Sequence, residues 1–298
     1  MLGKFIVVAT MFVFSIAAAA ENAQPRVNLS ASDIVSKNVA ARGGLQAWRS
    51  VHAMKWTGKL GVGGNQRATI STPLPEKKGA ALTTDPRTKD EVQLLFVMEM
   101  QRPRKVRYEL QFNKQNAVQT YDGVNGWKLR PFLNRLEVEP FTQEELKASS
   151  LQSDLDGSLV DYAAKGTRIE LEGIEKVDNR DAYKLKLTMK DGHSIYEWID
   201  AQTFLETKTE GVPRRLDGVE HPVEVYYSDY RPVNGLQIPF ILETRVLQVT
   251  HAASSTGSSA IPVERIVLNK VEVNPILEES LFSKPNVQDA SLVRHQGN

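Results

Sequence analysis

No cysteine occurs anywhere in the 298 residues. That absence excludes disulfides, thiolate nucleophiles and cysteine-ligated zinc, and it removes the thiol through which a lipid anchor would attach. Histidine is nearly as scarce, with only His52, His193, His221, His251 and His295. None has another three or four residues away, so the paired histidines of a zinc helix are missing and no metal site is expected. The G-x-S-x-G nucleophile elbow is missing too. Gly61-Val62-Gly63-Gly64 is glycine-rich, but it follows a strand pattern, opens no helix and lacks the Lys-Ser/Thr of a phosphate loop. Asp154-Leu155-Asp156-Gly157 fails as a calcium loop. With Gly157 as its sixth position, Gln152 falls where the first carboxylate ligand belongs. No cofactor is expected.

An excess of one charge is also lacking. The 37 basic and 36 acidic residues are spread along the chain and leave a formal charge of +1. Nucleic acid is excluded as a partner on this ground, because phosphate recognition needs a concentrated basic patch. Long hydrophobic runs are absent except at the start. There Lys4, the apolar run Phe5 to Ala17 and Ala18-Ala19-Ala20 before Glu21 have the three-part layout of a secretory signal. The run is shorter than the ~20 apolar residues of a spanning helix. The expectation is a signal peptide over 1–20, a flexible leader over 21–29 around Pro25, and a single domain over 30–298, soluble in the periplasm.

What the chain does contain is alternation. A helix is predicted from Ser30, where Ser30 and Asp33 have capping-box spacing and Leu29 and Ile34 that of a hydrophobic staple; Gly43-Gly44 ends it. A further turn or two carries Leu45 and Trp48. Beyond this the dominant period is two. Met54, Trp56 and Leu60 alternate with Lys55, Thr57 and Lys59; Val106, Tyr108, Leu110 and Phe112 with Arg107, Glu109 and Gln111; Tyr183, Leu185 and Leu187 with Lys184 and Lys186. Such alternation marks half-buried antiparallel strands. Further strands are predicted over 66–71, 92–101, 117–122, 126–130, 167–177, 193–200, 204–210, 222–230, 237–249 and 263–273. Turns such as Asp122-Gly123 and Asp178-Asn179 join them into a meander. Thr142 and Glu145 predict one inserted helix to about Ser153, and 158–165 a second short one. Residues 73–91 and 252–262 read as loops.

The fold class expected is α+β, mainly antiparallel β. Some strands are apolar on both faces: Leu94, Phe96, Met98 and Met100 point one way, Leu95 and Val97 the other. Such strands need cover on both sides, which a strongly curved sheet supplies if one face lines a cavity under the helices. The candidate lining residues are Trp56, Phe96, Met98, Tyr108, Leu110, Phe112, Trp127, Leu185, Leu187, Tyr196, Trp198 and Tyr227. Plain core filling explains the same residues. Nothing in the sequence singles out a catalytic residue. A glycan hydrolase would need two facing acids, and no pair among the 36 is distinguished.

Several stretches resemble the outer-membrane lipoprotein-sorting (LolA/LolB-like) family. They are Ala40-Ala41-Arg42-Gly43-Gly44-Leu45 with the strand Met54 to Leu60; Tyr121-Asp122-Gly123-Val124-Asn125-Gly126-Trp127 on to Phe132; Asp156-Gly157-Ser158-Leu159 to Tyr162, through Gly173-Ile174-Glu175 to Tyr183-Lys184-Leu185 and on into Trp198-Ile199-Asp200 to Leu205; Tyr227-Ser228-Asp229-Tyr230-Arg231-Pro232 to Pro239; and Asn274-Pro275-Ile276-Leu277 to Phe282. The resemblance implies an incomplete, half β-barrel with helices packed on its concave face and a hydrophobic cavity between. It implies a periplasmic carrier or chaperone for a lipid or lipoprotein acyl chain, with inner- or outer-membrane-associated proteins as further partners. The alternatives are a sensor or interaction module of the same fold that binds a protein, and a glycan-active hydrolase on a β scaffold.

Overall fold

The structure is a computed structural model that describes residues 29–63, 91–131, 135–216, 218–247 and 263–291. The expected signal peptide, the expected leader up to residue 28, the strand expected over 66–71, the loop expected over 252–262 and nearly all of that expected over 73–91 fall outside the described residues.

Two helices precede the sheet. In α1 (Ala31–Ala41) the Ser30 hydroxyl accepts from the Asp33 backbone N–H at 3.1 Å, and the Asp33 carboxylate accepts from the Ser30 N–H at 3.0 Å. This reciprocal cap satisfies two of the donors a helix start leaves free. Ile34, Val35 and Asn38 are its buried side. The chain leaves α1 through Gly43, at φ 116°, where any Cβ would collide with the Gly235 carbonyl. Only glycine lets the helix end lie this close to that hairpin. The short α2 (Leu45–Arg49) buries Trp48.

Thirteen strands follow: β1 (Ala53–Gly63), β2 (Glu91–Gln101), β3 (Lys105–Phe112), β4 (Gln115–Tyr121), β5 (Gly126–Arg130), β6 (Arg135–Pro140), β7 (Arg168–Val177), β8 (Arg180–Thr188), β9 (Ser194–Asp200), β10 (Glu206–Leu216), β11 (Val219–Val233), β12 (Leu236–Val246) and β13 (Glu264–Val273). They form one sheet in the order β6-β5-β4-β3-β2-β1-β13-β12-β11-β10-β9-β8-β7. First and last strands pair at the centre, Met54 opposite Val273 and Leu60 opposite Ile266, and the chain meanders out to each edge from there. Every pairing is antiparallel, and β6 and β7 remain as open edges.

Strand β6 is absent from the sequence reading. Its residues Arg-Leu-Glu-Val-Glu-Pro carry too little apolar signal. It forms because β5 offers a free edge, on which Lys128 faces Glu139, and because Arg130 and Arg135 both pair with Glu139, at 2.5 and 3.3 Å. The inserted helix is α3 (Gln143–Gln152), capped by Thr142 and Glu145. The short helix expected over 158–165 is replaced by hydrogen-bonded turns. Asp161 (φ 53°) and Gly166 (φ 78°) take left-handed backbone that stops a helix from propagating.

The sheet is rolled. Tyr108 on β3 and Arg214 on β10 stand six strands apart, ~29 Å across a flat sheet at the usual spacing. Yet burial raises the Tyr108 phenol's pKa, the nearby Glu264 carboxylate of β13 raises it further, and the Arg214 guanidinium lowers it. All three therefore lie within electrostatic reach. Arg214 and Glu264 hold each other through two contacts of 2.8 Å. On the outer face of β3 to β5 the chain's last described turns, Glu279–Phe282 and Val287–Ala290, supply cover. There Arg107 donates to the Leu281 carbonyl at 3.1 Å and Asn116 to that of Asp289 at 3.2 Å. The architecture is the α+β, mainly antiparallel open barrel, with helices against one face.

Candidate functional site

Strand register determines which side chains share the inner face. Three apolar rows cross the strands. Tyr108, Met98, Trp56 and Val271 form one; Leu110, Phe96, Gly58 and Leu268 form the next. The third runs through Leu94, Leu60, Ile266, Leu242 and Tyr227, from β2 to β11. Phe96 and Tyr108 meet edge to face at 5.1 Å. These rows share a cluster with Trp48 of α2 and with Leu155 and Val160 of the turn segment. Within it Leu110, Phe96 and Leu268 are fully buried, while Trp56, Met98, Tyr108, Leu242 and Ile266 keep part of their surface open. Phe112 continues the phase of Leu110 to the strand end and is exposed. A second cluster gathers Leu185, Leu187 and Ile199 beneath Ile34 and Val35 of α1.

Of the twelve sequence candidates, Trp56, Phe96, Met98, Tyr108 and Leu110 therefore stand together on the inner face, Leu185 and Leu187 lie under α1, and Tyr227 joins the third row. Tyr196, Trp198 and Trp127 face the other way. Tyr196 and Trp198 lie 6.2 Å apart and pack with Val177, Ala182 and Tyr226 on the outer face. There Lys208 lies 3.7 Å from the Trp198 ring and Arg245 3.9 Å from that of Tyr226, and each cation also pairs with a carboxylate, Glu224 or Glu243. Trp127 falls opposite Thr120, in the phase of Val118 and Leu129 rather than that of Tyr108.

Sequence reasoning missed the polar centre between the helices and β9 to β11. Arg42, at the end of α1, pairs with Glu206 at 3.1 Å, donates to the Asp156 carbonyl at 3.0 Å and lies 4.3 Å from the Trp48 ring. The Tyr230 hydroxyl reaches Glu206 at 3.2 Å. A register break between Glu206 and Lys208, and Asp229 at φ 54°, re-aim these two side chains away from simple alternation. Beside them Ser158 donates to Glu197. Asp156 ties the same turn segment down, accepting from Lys165 and Arg102, each at 2.7 Å. Burial pushes the Asp156 carboxyl up, and these two cations more than reverse it. One sequence signal pointed here: Glu197 occupies the inward phase between Ile195 and Ile199.

Glu197 and Glu206 are the two acids this centre brings close, yet both are engaged by covering elements, Glu197 by Ser158 and Glu206 by Arg42. Burial raises the Glu197 carboxyl to about 7, with Glu206 adding to the rise and the Ser158 hydrogen bond opposing it. The folded protein thus holds this proton more tightly than the unfolded chain. Its contribution to stability is complete below the unfolded value of about 4.5 and is lost as pH rises through about 7. Glu197→Gln is expected to stabilise the protein at pH 8 by on the order of 1–3 kcal/mol and to flatten the stability profile between pH 4.5 and 7. Urea unfolding at a series of pH values measures this. An unchanged slope in the variant contradicts it.

Among the described residues no group of three histidine or acidic side chains is placed to hold a metal ion, and no helix is long and apolar enough to cross a membrane. No family model matches the chain, and no curated protein does. Among the solved structures similar to it are three that cover most of the chain. One is a domain of Vibrio parahaemolyticus described as an outer membrane lipoprotein-sorting protein, at 13% identity and TM-score 0.49, covering 84% of this chain and 95% of that one. A LolA superfamily protein of Nitrosomonas europaea has 13% identity and TM-score 0.48, covering 86% and 98%. A DUF1329 family protein of Desulfovibrio piger has 11% identity and TM-score 0.47, covering 85% and 97%. The fold assignment rests on the strand order and register given above.

Proposed function

We propose that this protein is exported to the periplasm and there carries a lipid or lipoprotein acyl chain, held against the inner apolar rows of the rolled sheet and under the helices. The observation that carries this reading is the set of half-buried apolar side chains, Tyr108, Met98, Trp56, Ile266 and Leu242, running from β3 to β12 on one face. An ordinary core closes over such side chains. Here each keeps part of its surface open while packed against the core, which supports the reading.

Energetics favour that shape. Each CH₂ withdrawn from water contributes ~0.8 kcal/mol, so a sixteen-carbon chain must recover on the order of 12 kcal/mol to leave a membrane. A flat patch covers one side of the chain and leaves the rest wet. A rolled sheet faced by helices surrounds it. The apolar N-terminal run and its small-residue exit support the periplasm as the place of work.

Native mass spectrometry of protein purified from its own periplasm without detergent tests the proposal. Adducts with acyl-lipid masses, and an N-terminus beginning after Ala20, are expected. Protein that is wholly empty and takes up no lipid from vesicles contradicts the carrier role. A single stoichiometric protein partner in place of lipid would turn the reading to an interaction module.

A further inference from the structure

The apolar rows contain one polar atom out of place. The indole nitrogen of Trp56 is shielded from solvent and has no hydrogen-bond partner among the described residues. Its row neighbours are Met98 and Val271, and along its own strand face Met54 and Gly58 come next, with Leu60 beyond. Apart from the weakly accepting thioether sulfurs of the two methionines, these side chains offer no acceptor. A buried donor without a partner costs ~1–3 kcal/mol, and a phenylalanine in its place would carry no such penalty. The same N–H gains that energy back when a ligand brings an oxygen to it.

The surroundings restrict the kind of oxygen. Of the described charges, Glu264 and Arg214 act on Tyr108 in the same row, and they pair with each other through two 2.8 Å contacts. None of the described residues in the three rows is a cation that could receive a carboxylate or phosphate, and an ionised group without one is costly to bury. A single N–H among methionine and aliphatic side chains suits a neutral acceptor at the end of an apolar chain. We propose that the Trp56 N–H donates to the ester carbonyl of a bound acyl chain and fixes the chain's polar end at β1. This rests on the carrier reading above and specifies the ligand at that same site.

The test compares dioctanoyl phosphatidylglycerol with its dioctyl ether analogue, which keeps the chains and headgroup and lacks the carbonyls. Binding of both, and of octanoate at pH 8, is measured to the full-length mature protein and to two variants. One is Trp56→Phe; the other carries 3-benzothienylalanine at position 56, with sulfur in place of the N–H and the ring shape kept. The ester is expected to bind about five- to tenfold more tightly than the ether to the natural protein, the preference one hydrogen bond provides. Both variants are expected to lose that preference while still binding the ether. Equal binding of ester and ether to the natural protein, a preference that survives the sulfur replacement, or octanoate bound as tightly as the ester overturns the assignment and leaves the carrier reading standing. Failure of every ligand to bind overturns both.

Discussion

Met98→Glu is expected to reduce co-purifying acyl lipid at least ~10-fold. Met98 stands between Tyr108 and Trp56 in the first apolar row, half-buried, on the face the sheet curls around. A carboxylate there must lose its water wherever a methylene chain lies against it. That costs several kcal/mol, and each 1.4 kcal/mol is worth about a factor of ten in affinity. Two controls separate this effect from damage to the fold. Met98→Leu keeps the volume and apolarity and is expected to retain the lipid. Leu95→Glu puts the same charge on the same strand, but Leu95 is 51% exposed on the opposite face, so lipid content is expected to be unchanged. Lipid extraction with mass spectrometry, alongside a urea unfolding curve for each variant, reads the outcome. A folded Met98→Glu protein with its full lipid complement would remove the inner face from consideration.

Arg42→Ala is expected to destabilise the fold by about 3–5 kcal/mol, the range for removing one partner of a buried ion pair. Arg42 and Glu206 are 12% and 14% exposed. The substitution also removes the guanidinium from the Trp48 ring and the bond to the Asp156 carbonyl, the contacts by which the end of α1 is joined to α2 and the turn segment. Faster hydrogen exchange should therefore concentrate in α1 and α2. Arg42→Lys keeps the charge without the planar stack and is expected to fall between. Combining Arg42→Ala with Glu206→Gln should recover part of the loss, because the stranded carboxylate is then neutral. Full additivity in that cycle would mean that the pair contributes nothing.

The strands were legible because their signal is local. Each of β1, β3 and β8 alternates cleanly, and alternation says which residues share a face without any knowledge of neighbours. Strand β6 lacks that signal and owes its existence to the edge of β5, which no local window contains. The same limit separated the site residues. Trp56, Phe96, Met98, Tyr108 and Leu110 lie on one face because β1, β2 and β3 pair in register, and their phases happened to be readable. Tyr196 and Trp198 are equally aromatic and equally on a strand, but in the opposite phase. Leu185 faces inward directly opposite Glu197, so Trp198, one residue on, faces out. Aromaticity alone could not separate the two sides. Phase could have.

The polar centre was hidden for another reason. Arg42, Ser158 and the β9–β10 pair Glu197 and Glu206 come from three separate stretches of the sequence and meet only when the helix end and the turn segment pack over those strands. Glu206 and Tyr230 reach it through a register break and a left-handed residue, which interrupt the alternation that sequence reading relies on. The acid at the inward phase of β9 was the one local trace, since a buried carboxylate needs a partner from elsewhere in the fold.

Fluorescence quenching provides the most direct test of where a bound chain lies. Single-tryptophan proteins retaining only Trp56 or only Trp198 report on the two faces of the sheet, and a phospholipid brominated along its acyl chain quenches an indole only on near contact. Strong quenching of Trp56 with Trp198 unaffected is the expected result. Equal quenching of both, or of Trp198 alone, would place the lipid outside the curl of the sheet and contradict the account.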